Sequence, residues 1–80
     1  MTKDEVFAKV KEILVNDFDI EESQVTSEAL IGDDLDLDSI DAVEMIVKLK
    51  PFINGSIAPE AFKAVKTVED VVNVVLPLSK

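Results

Sequence analysis

Residues 34–45 read Asp-Leu-Asp-Leu-Asp-Ser-Ile-Asp-Ala-Val-Glu-Met and contain a helix start followed by an amphipathic pattern. Asp38 is a favourable N-cap residue, and Asp41, three positions later, adds a carboxylate in the first turn. Ser39 therefore becomes the first helical residue, with its hydroxyl turned to solvent. The helix is expected to end near Lys50, because Pro51 disfavours helical backbone for the residue before it.

The residues behind this start predict two helix faces. Apolar residues recur at helical spacing and give one face that should be buried. Charged residues occupy the opposite face. The predicted buried face consists of Ala42, Val43, Ile46 and Leu49, and the polar face of Asp41, Glu44 and Lys48.

Length and charge narrow the class of protein. Eighty residues make a single domain, 1–80, with one modest core that buries roughly 60–65% of the unfolded surface. The net charge is −9, from 17 acidic and 8 basic residues, and most of the acids lie between Lys11 and Lys48, a stretch without a base. This charge argues against nucleic acids and anionic membranes as partners, and favours proteins with basic patches.

The sequence contains neither Cys nor His. Without Cys there is neither a disulfide nor a thiolate metal site, and without His the commonest general base and metal ligand are missing. The sequence also lacks an N-terminal signal pattern and a long apolar run. We therefore expect a cytoplasmic protein without stable membrane insertion.

Capping signals predict a helix near each end of the chain. Thr2 and Glu5 form a T-x-x-E capping box, and Thr67 with Asp70 repeats the spacing. Residues 68–76 are ambiguous, since their valines favour a strand by propensity. Helix is the better prediction, because the valines fit one helix face and no second strand is available to pair with them.

The long acidic connection between the first helix and the central motif should carry structure of its own. Ile20 and Val25 are predicted to anchor it to the core, and residues 28–31 to form a short helical turn. Pro59 suits the first position of a short third helix, residues 59–65. The predicted fold is all-α, a four-helix bundle with a short third helix.

The central motif also carries a family resemblance. Asp38-Ser39-Ile40-Asp41-x-Val43-Glu44 resembles the D-S-L-D-x-V-E motif of acyl carrier proteins, and the similarity extends over nearly the whole chain. It implies that the chain is a monomeric carrier rather than an enzyme. A carrier transferase would move 4′-phosphopantetheine from coenzyme A onto Ser39. The arm would hold acyl intermediates as thioesters in fatty-acid, lipid or polyketide biosynthesis.

The resemblance implies two further sets of residues. Acyl-transfer and synthase enzymes would approach with basic patches, and the acyl chain would be sheltered inside the bundle. The implied docking residues are Asp36, Asp38, Asp41 and Glu44, and the implied pocket residues are Ile46, Leu49, Phe62 and Val65.

Three departures from the family pattern point to a specialised carrier. Asp36 stands where the family usually has Gly, although Asp tolerates left-handed backbone better than most residues. Lys48 and Lys50 truncate the acidic surface of the second helix at its far end. Phe62 lies where the family commonly has Ala, facing the acyl pocket.

Other interpretations remain open for this sequence. Asp34, Asp36 and Asp38 match the first positions of a calcium loop, but the pattern lacks its Gly and its closing Glu, so we predict no dedicated metal site. A catalytic serine is disfavoured, because no His is present to take its proton. A free-standing aminoacyl, peptidyl or D-alanyl carrier and an unmodified acidic interaction protein are the alternative functions.

Overall fold

The computed structural model describes residues 1–55, 57–58, 60–61 and 64–80, and of Ser39 the main chain alone. Three helices are described over their full length: α1 (Lys3–Asp17), α2 (Ser39–Leu49) and α3 (Val68–Val75). Three 3₁₀ turns accompany them, at Glu22–Gln24, Lys50–Phe52 and Leu76–Leu78. The predicted all-α class is confirmed, since β structure in the described ranges is limited to two isolated bridges.

Capping boxes begin α1 and α3, as the sequence predicts. At α1, the Thr2 hydroxyl accepts from the N–H of Glu5 at 3.3 Å, and the Glu5 carboxylate accepts from the N–H of Thr2 at 2.8 Å. At α3, Thr67 and Asp70 make the same reciprocal pair, at 3.2 and 3.1 Å. Each box supplies acceptors for N–H groups that a helix start leaves without partners.

The valine-rich segment, residues 68–75, is a helix and not a strand. Val68, Val71, Val72 and Val75 are all buried, on the single face that their spacing predicts. Their burial outweighs the strand propensity of β-branched residues, because packing routinely overrides propensity. After α3, Pro77 lies in a 3₁₀ turn rather than in further α-helix.

One apolar core joins the helices, with α1 packed against both α2 and α3. Loop residues complete it, and Ile20 and Val25 are among them, as predicted. The buried residues are Val6, Val10, Ile13 and Leu14 of α1, Met45 and Leu49 of α2, the four valines of α3, and Ile20, Val25, Ala29, Leu35, Ile53 and Ile57.

The predicted helical turn at residues 28–31 is wrong. The short helical turn of this connection lies earlier, at Glu22–Gln24. The main chain of residues 29–31 instead pairs with the approach to α3: the N–H of Val68 donates to the carbonyl of Ala29 at 3.1 Å, and the N–H of Ile31 to that of Lys66 at 2.8 Å. Backbone groups engaged in these distant bonds are not available for a local helical turn.

The predicted short helix at 59–65 falls partly outside the described residues, and Phe62 lies there entirely. Within that range Glu60 and Ala61 are helical, whereas Val65 is outside helical structure. The end of α2 agrees with prediction, since α-helix stops at Leu49 and Pro51 lies in the following 3₁₀ turn. Within the described ranges, no helix has the length and apolar content needed to span a bilayer.

Candidate functional site

The start of α2 is the best-defined feature of the central motif. Asp38 is its N-cap, and one carboxylate oxygen accepts from the N–H groups of Ile40 and Asp41, both at 3.0 Å. The Asp41 carboxylate returns the bond by accepting from the N–H of Asp38 at 3.1 Å. Ser39 is thereby fixed as the first residue of the helix, as the sequence predicts.

These hydrogen bonds alter the electrostatics of the helix start. The N–H of Asp41, helped by that of Ile40, lowers the pKa of the Asp38 carboxyl below its usual value. Asp38 is therefore ionised at neutral pH and is a poor proton acceptor. The N–H groups of Ile40 and Asp41 already have Asp38 as their partner, so they are not free donors for an anion at this helix end.

A tight turn brings the chain to this start. Asp36 has a φ of 56°, in the left-handed region, which is the conformation expected for a residue that replaces Gly. On either side of Asp36, the buried Leu35 anchors the turn in the core and the N–H of Leu37 donates to the carbonyl of Ile31 at 3.1 Å. The turn therefore holds the approach to α2 against the protein and leaves Asp38 exposed.

The predicted docking residues lie around this helix start. Asp36, Asp38 and Glu44 are exposed, and Asp41 is half-buried. Asp38 and Asp41 are brought together by the capping bonds, while Glu44 lies one turn further along α2. Among the described side chains, no group of three potential metal ligands is placed to hold an ion.

An open groove of about 370 Å³ lies beside the N-terminus of α2. Its walls come from the preceding turn, from the first turn of α2 and from the segment before α3. The apolar wall residues are Leu30, Ile31, Leu37, Ala42 and Val65, and Asp33, Asp38 and Lys66 lie among the remaining lining residues.

The predicted pocket residues are distributed differently. Val65 lines the groove, whereas Leu49 is completely buried in the core and Ile46 is half-buried against it. Phe62 is outside the described residues. Leu37 and Ala42 were not predicted as pocket residues, because the groove forms only where the turn and residues 65–66 meet.

One assignment on α2 is wrong. Val43, predicted on the buried face, is 45% exposed, and Met45, which the prediction omitted, is 1% exposed. Ile40 and Val47 are also exposed, at 72% and 63%. Ile40, Val43 and Val47 follow the spacing i, i+3 and i+7, which could have been recognised as a second apolar stripe. We call these three residues the outward stripe.

Comparison with known proteins gives consistent results. A family model described as a phosphopantetheine attachment site matches residues 8–75. Acyl carrier protein 2 of Ralstonia nicotianae is 42% identical over 78 residues, covering 98% of this chain and 96% of that protein. The acyl carrier protein of Petrotoga mobilis is 42% identical over 73 residues, covering 91% and 86%.

A solved structure supports the same relationship. The acyl carrier protein from Enterococcus faecalis superimposes with a TM-score of 0.76 at 38% sequence identity, covering 99% of this chain and all of that one. The similarity therefore includes the whole fold as well as the central motif.

Proposed function

Because this chain belongs to the acyl carrier protein family, we propose that Ser39 is the residue to which its 4′-phosphopantetheine is attached. The chain is a carrier, not an enzyme. The observation that supports Ser39 is its position: it is the first residue of α2, directly after the exposed Asp38 cap and beside the groove.

Other serines offer poorer sites. Ser79 is half-buried, and its hydroxyl donates to the carbonyl of Leu76 at 2.8 Å. Ser23 lies in the 3₁₀ turn of the first connection, and the carbonyl of Ser27 accepts from the N–H of Glu69 in the first turn of α3. Neither Ser23 nor Ser27 begins an α-helix.

The residues at the start of α2 suit a site that another enzyme modifies. In the proposed reaction, the Ser39 hydroxyl attacks the phosphorus of coenzyme A that carries the pantetheine, and adenosine 3′,5′-bisphosphate leaves. Asp38 is a poor base for the serine proton, because two N–H groups already stabilise its ionised form. We therefore propose that the transferase supplies the base.

When attached, the arm supplies a thiol that holds an acyl group as a thioester. The groove provides apolar surface next to the attachment position, from Leu37, Ala42 and Val65. We propose that the acyl group begins to be sheltered there. For the acyl group to contact the buried Leu49, the core would have to open. Ile46 lies at the edge of the core.

Asp36, Asp38, Asp41 and Glu44 form the proposed docking surface. Their charges lie close to Ser39, where an enzyme acting on the arm must approach. The partners would be the carrier transferase and the acyl-transfer and synthase enzymes, each presenting Lys or Arg. We also propose a cytoplasmic monomer, since a net charge of −9 opposes self-association.

Incubation with coenzyme A and a carrier transferase tests the attachment site. Intact mass should show addition of one phosphopantetheine to the wild-type chain and none to Ser39→Ala. Ser27→Ala is the matched control and should be modified at the wild-type rate. Modification that persists in Ser39→Ala would disprove the assignment.

A further inference from the structure

The outward stripe is an apolar surface without a partner in the described structure. Ile40 is 72% exposed and Val47 63%, although large apolar side chains are mostly buried in a domain of this kind. The buried Met45 and Leu49 lie on the opposite side of α2. The stripe therefore lies outside the core cluster. It spans about 10 Å along the helix axis.

The charges on α2 are segregated along the helix axis. The N-cap Asp38, Asp41 and Glu44 lie in the first half, and Lys48 and Lys50 lie at the end. Lys50 has helical backbone angles, φ −50° and ψ −42°, so the helical register continues through it. It follows Val47 by three residues and lies on the line of the stripe.

The two lysines differ in their availability. Nζ of Lys48 lies 3.6 Å from a carboxylate oxygen of Asp17, the last residue of α1. Lys50 is exposed, and none of the ion pairs found in the described structure includes it. Lys50 is therefore the better candidate for a cation that meets a charge on another molecule.

We propose that Lys50 is a specificity-determining residue for the enzymes that dock on α2. The partner would present an apolar patch with Lys or Arg at one end and a carboxylate at the other, about 14 Å apart, which is the axial separation of Asp41 and Lys50. At physiological ionic strength the Debye length is about 8 Å, so the two ends are recognised separately. This inference rests on the proposed function and specifies the partner's chemistry.

A second copy of the chain is a less suitable occupant. Antiparallel α2 helices would pair acidic with basic ends, but they would also bring the two Glu44 carboxylates together near the symmetry axis. A stripe of three side chains is small against the roughly 800 Å² per partner of a stable interface. Two chains of net charge −9 also repel each other.

Two stapled helical peptides of identical composition provide the probe. Each carries three leucines spaced as in the outward stripe, two arginines and two glutamates. In the segregated peptide the arginines occupy one end and the glutamates the other, whereas in the interleaved peptide the signs alternate. Because both peptides have zero net charge, attraction to the acidic chain as a whole does not distinguish them. Fluorescence anisotropy gives the Kd, and amide chemical shifts locate the binding surface.

The unmodified wild-type chain should bind the segregated peptide about two- to fivefold more tightly at low salt, with shifts on α2. Lys50→Glu should abolish this preference, and Lys50→Gln should reduce it. Lys80→Glu, with the same charge change at the chain end, should retain it. Circular dichroism checks that each variant is folded.

Equal binding of both peptides, a preference that survives Lys50→Glu, or shifts outside α2 would overturn the proposal. Dimerisation of the chain in sedimentation, with concentration-dependent amide shifts on α2, would also overturn it. None of these measurements requires modification of Ser39. A failure of the attachment site is therefore seen separately, in the intact-mass experiment.

Discussion

Helices α2 and α3 begin in the same way and are used differently. Each starts with a capping box, Asp38 with Asp41 in α2 and Thr67 with Asp70 in α3. Yet α3 buries its four apolar valines, whereas α2 leaves its outward stripe exposed. A capping signal therefore locates a helix, but it does not indicate how much of the helix surface the fold covers.

The difference arises from what surrounds each helix. At the start of α3, the N–H groups of Val68 and Glu69 donate to the carbonyls of Ala29 and Ser27 in the first connection. Helix α1 also packs along α3. α2 packs through a single face, centred on Met45 and Leu49. This difference supports the proposal that α2 binds partners, while α3 stabilises the fold.

The largest expected effect is the difference in stability lost when a buried or an exposed valine is replaced by alanine. Val71→Ala, at a position with no exposed surface, should lower the free energy of unfolding by about 2 kcal/mol, through lost burial and the cavity left behind. Val47→Ala, at a position 63% exposed, should change it by less than about 0.5 kcal/mol. Urea denaturation of both variants measures the difference. Equal losses would mean that the outward stripe also stabilises the fold.

A smaller effect concerns pH at the two helix starts. The N–H groups of Lys66 and Thr67 lower the pKa of Asp70, as those of Asp41 and Ile40 lower the pKa of Asp38. A carboxyl whose pKa is lower when folded contributes stability above its unfolded pKa, and this is lost as the pH falls through the folded value. Stability should therefore decline on acidification below about pH 4.

Asparagine variants test which carboxyls cause that decline. Asp38→Asn and Asp70→Asn should each make the fall in stability between about pH 6 and about pH 3 shallower than in the wild type. Urea unfolding at each pH measures the slope. Asp4→Asn, which removes a carboxylate but no capping bond of α2 or α3, is the control for the loss of one negative charge. If the stability of Asp38→Asn falls with pH as steeply as that of the wild type, the capping bonds of Asp38 do not contribute to the pH dependence of folding.

The smallest expected effect is on the rate of docking. Glu44→Lys on α2 should slow modification by the transferase severalfold at low salt, mainly through slower association. Glu69→Lys on α3 makes the same change in net charge and should have little effect, because α3 lies outside the proposed docking surface. Initial rates across an ionic-strength series measure both. Equal slowing by the two variants would indicate attraction to total charge and not to a surface on α2.

Local signals predicted much of the fold and which serine stands at the start of α2. Helices α1, α2 and α3 could be located because a capping residue acts on N–H groups two or three positions away in the same chain. The left-handed backbone at Asp36 agrees with the family resemblance, in which Gly usually stands at this position. Ser39 was singled out by the motif around it, and its place at the start of α2 followed from Asp38 alone.

Burial was predicted less well than position. Val43 was assigned to the core because helical spacing identifies a stripe but does not say which stripe is covered. Residues 28–31 were expected to form a helical turn, although their main chain bonds with residues 66 and 68, more than thirty positions away. The groove was missed for the same reason, since its walls come from separate segments.

The sequence by itself determined where the helices begin, that the valines of α3 form a helix face, and which serine stands at the start of α2. These features depend on interactions within one or two helical turns. The tertiary structure decided that α3 is covered and that the outward stripe of α2 is not, and it formed the groove beside Ser39. Those outcomes depend on which distant segments pack together, and such contacts leave no periodic pattern in the chain.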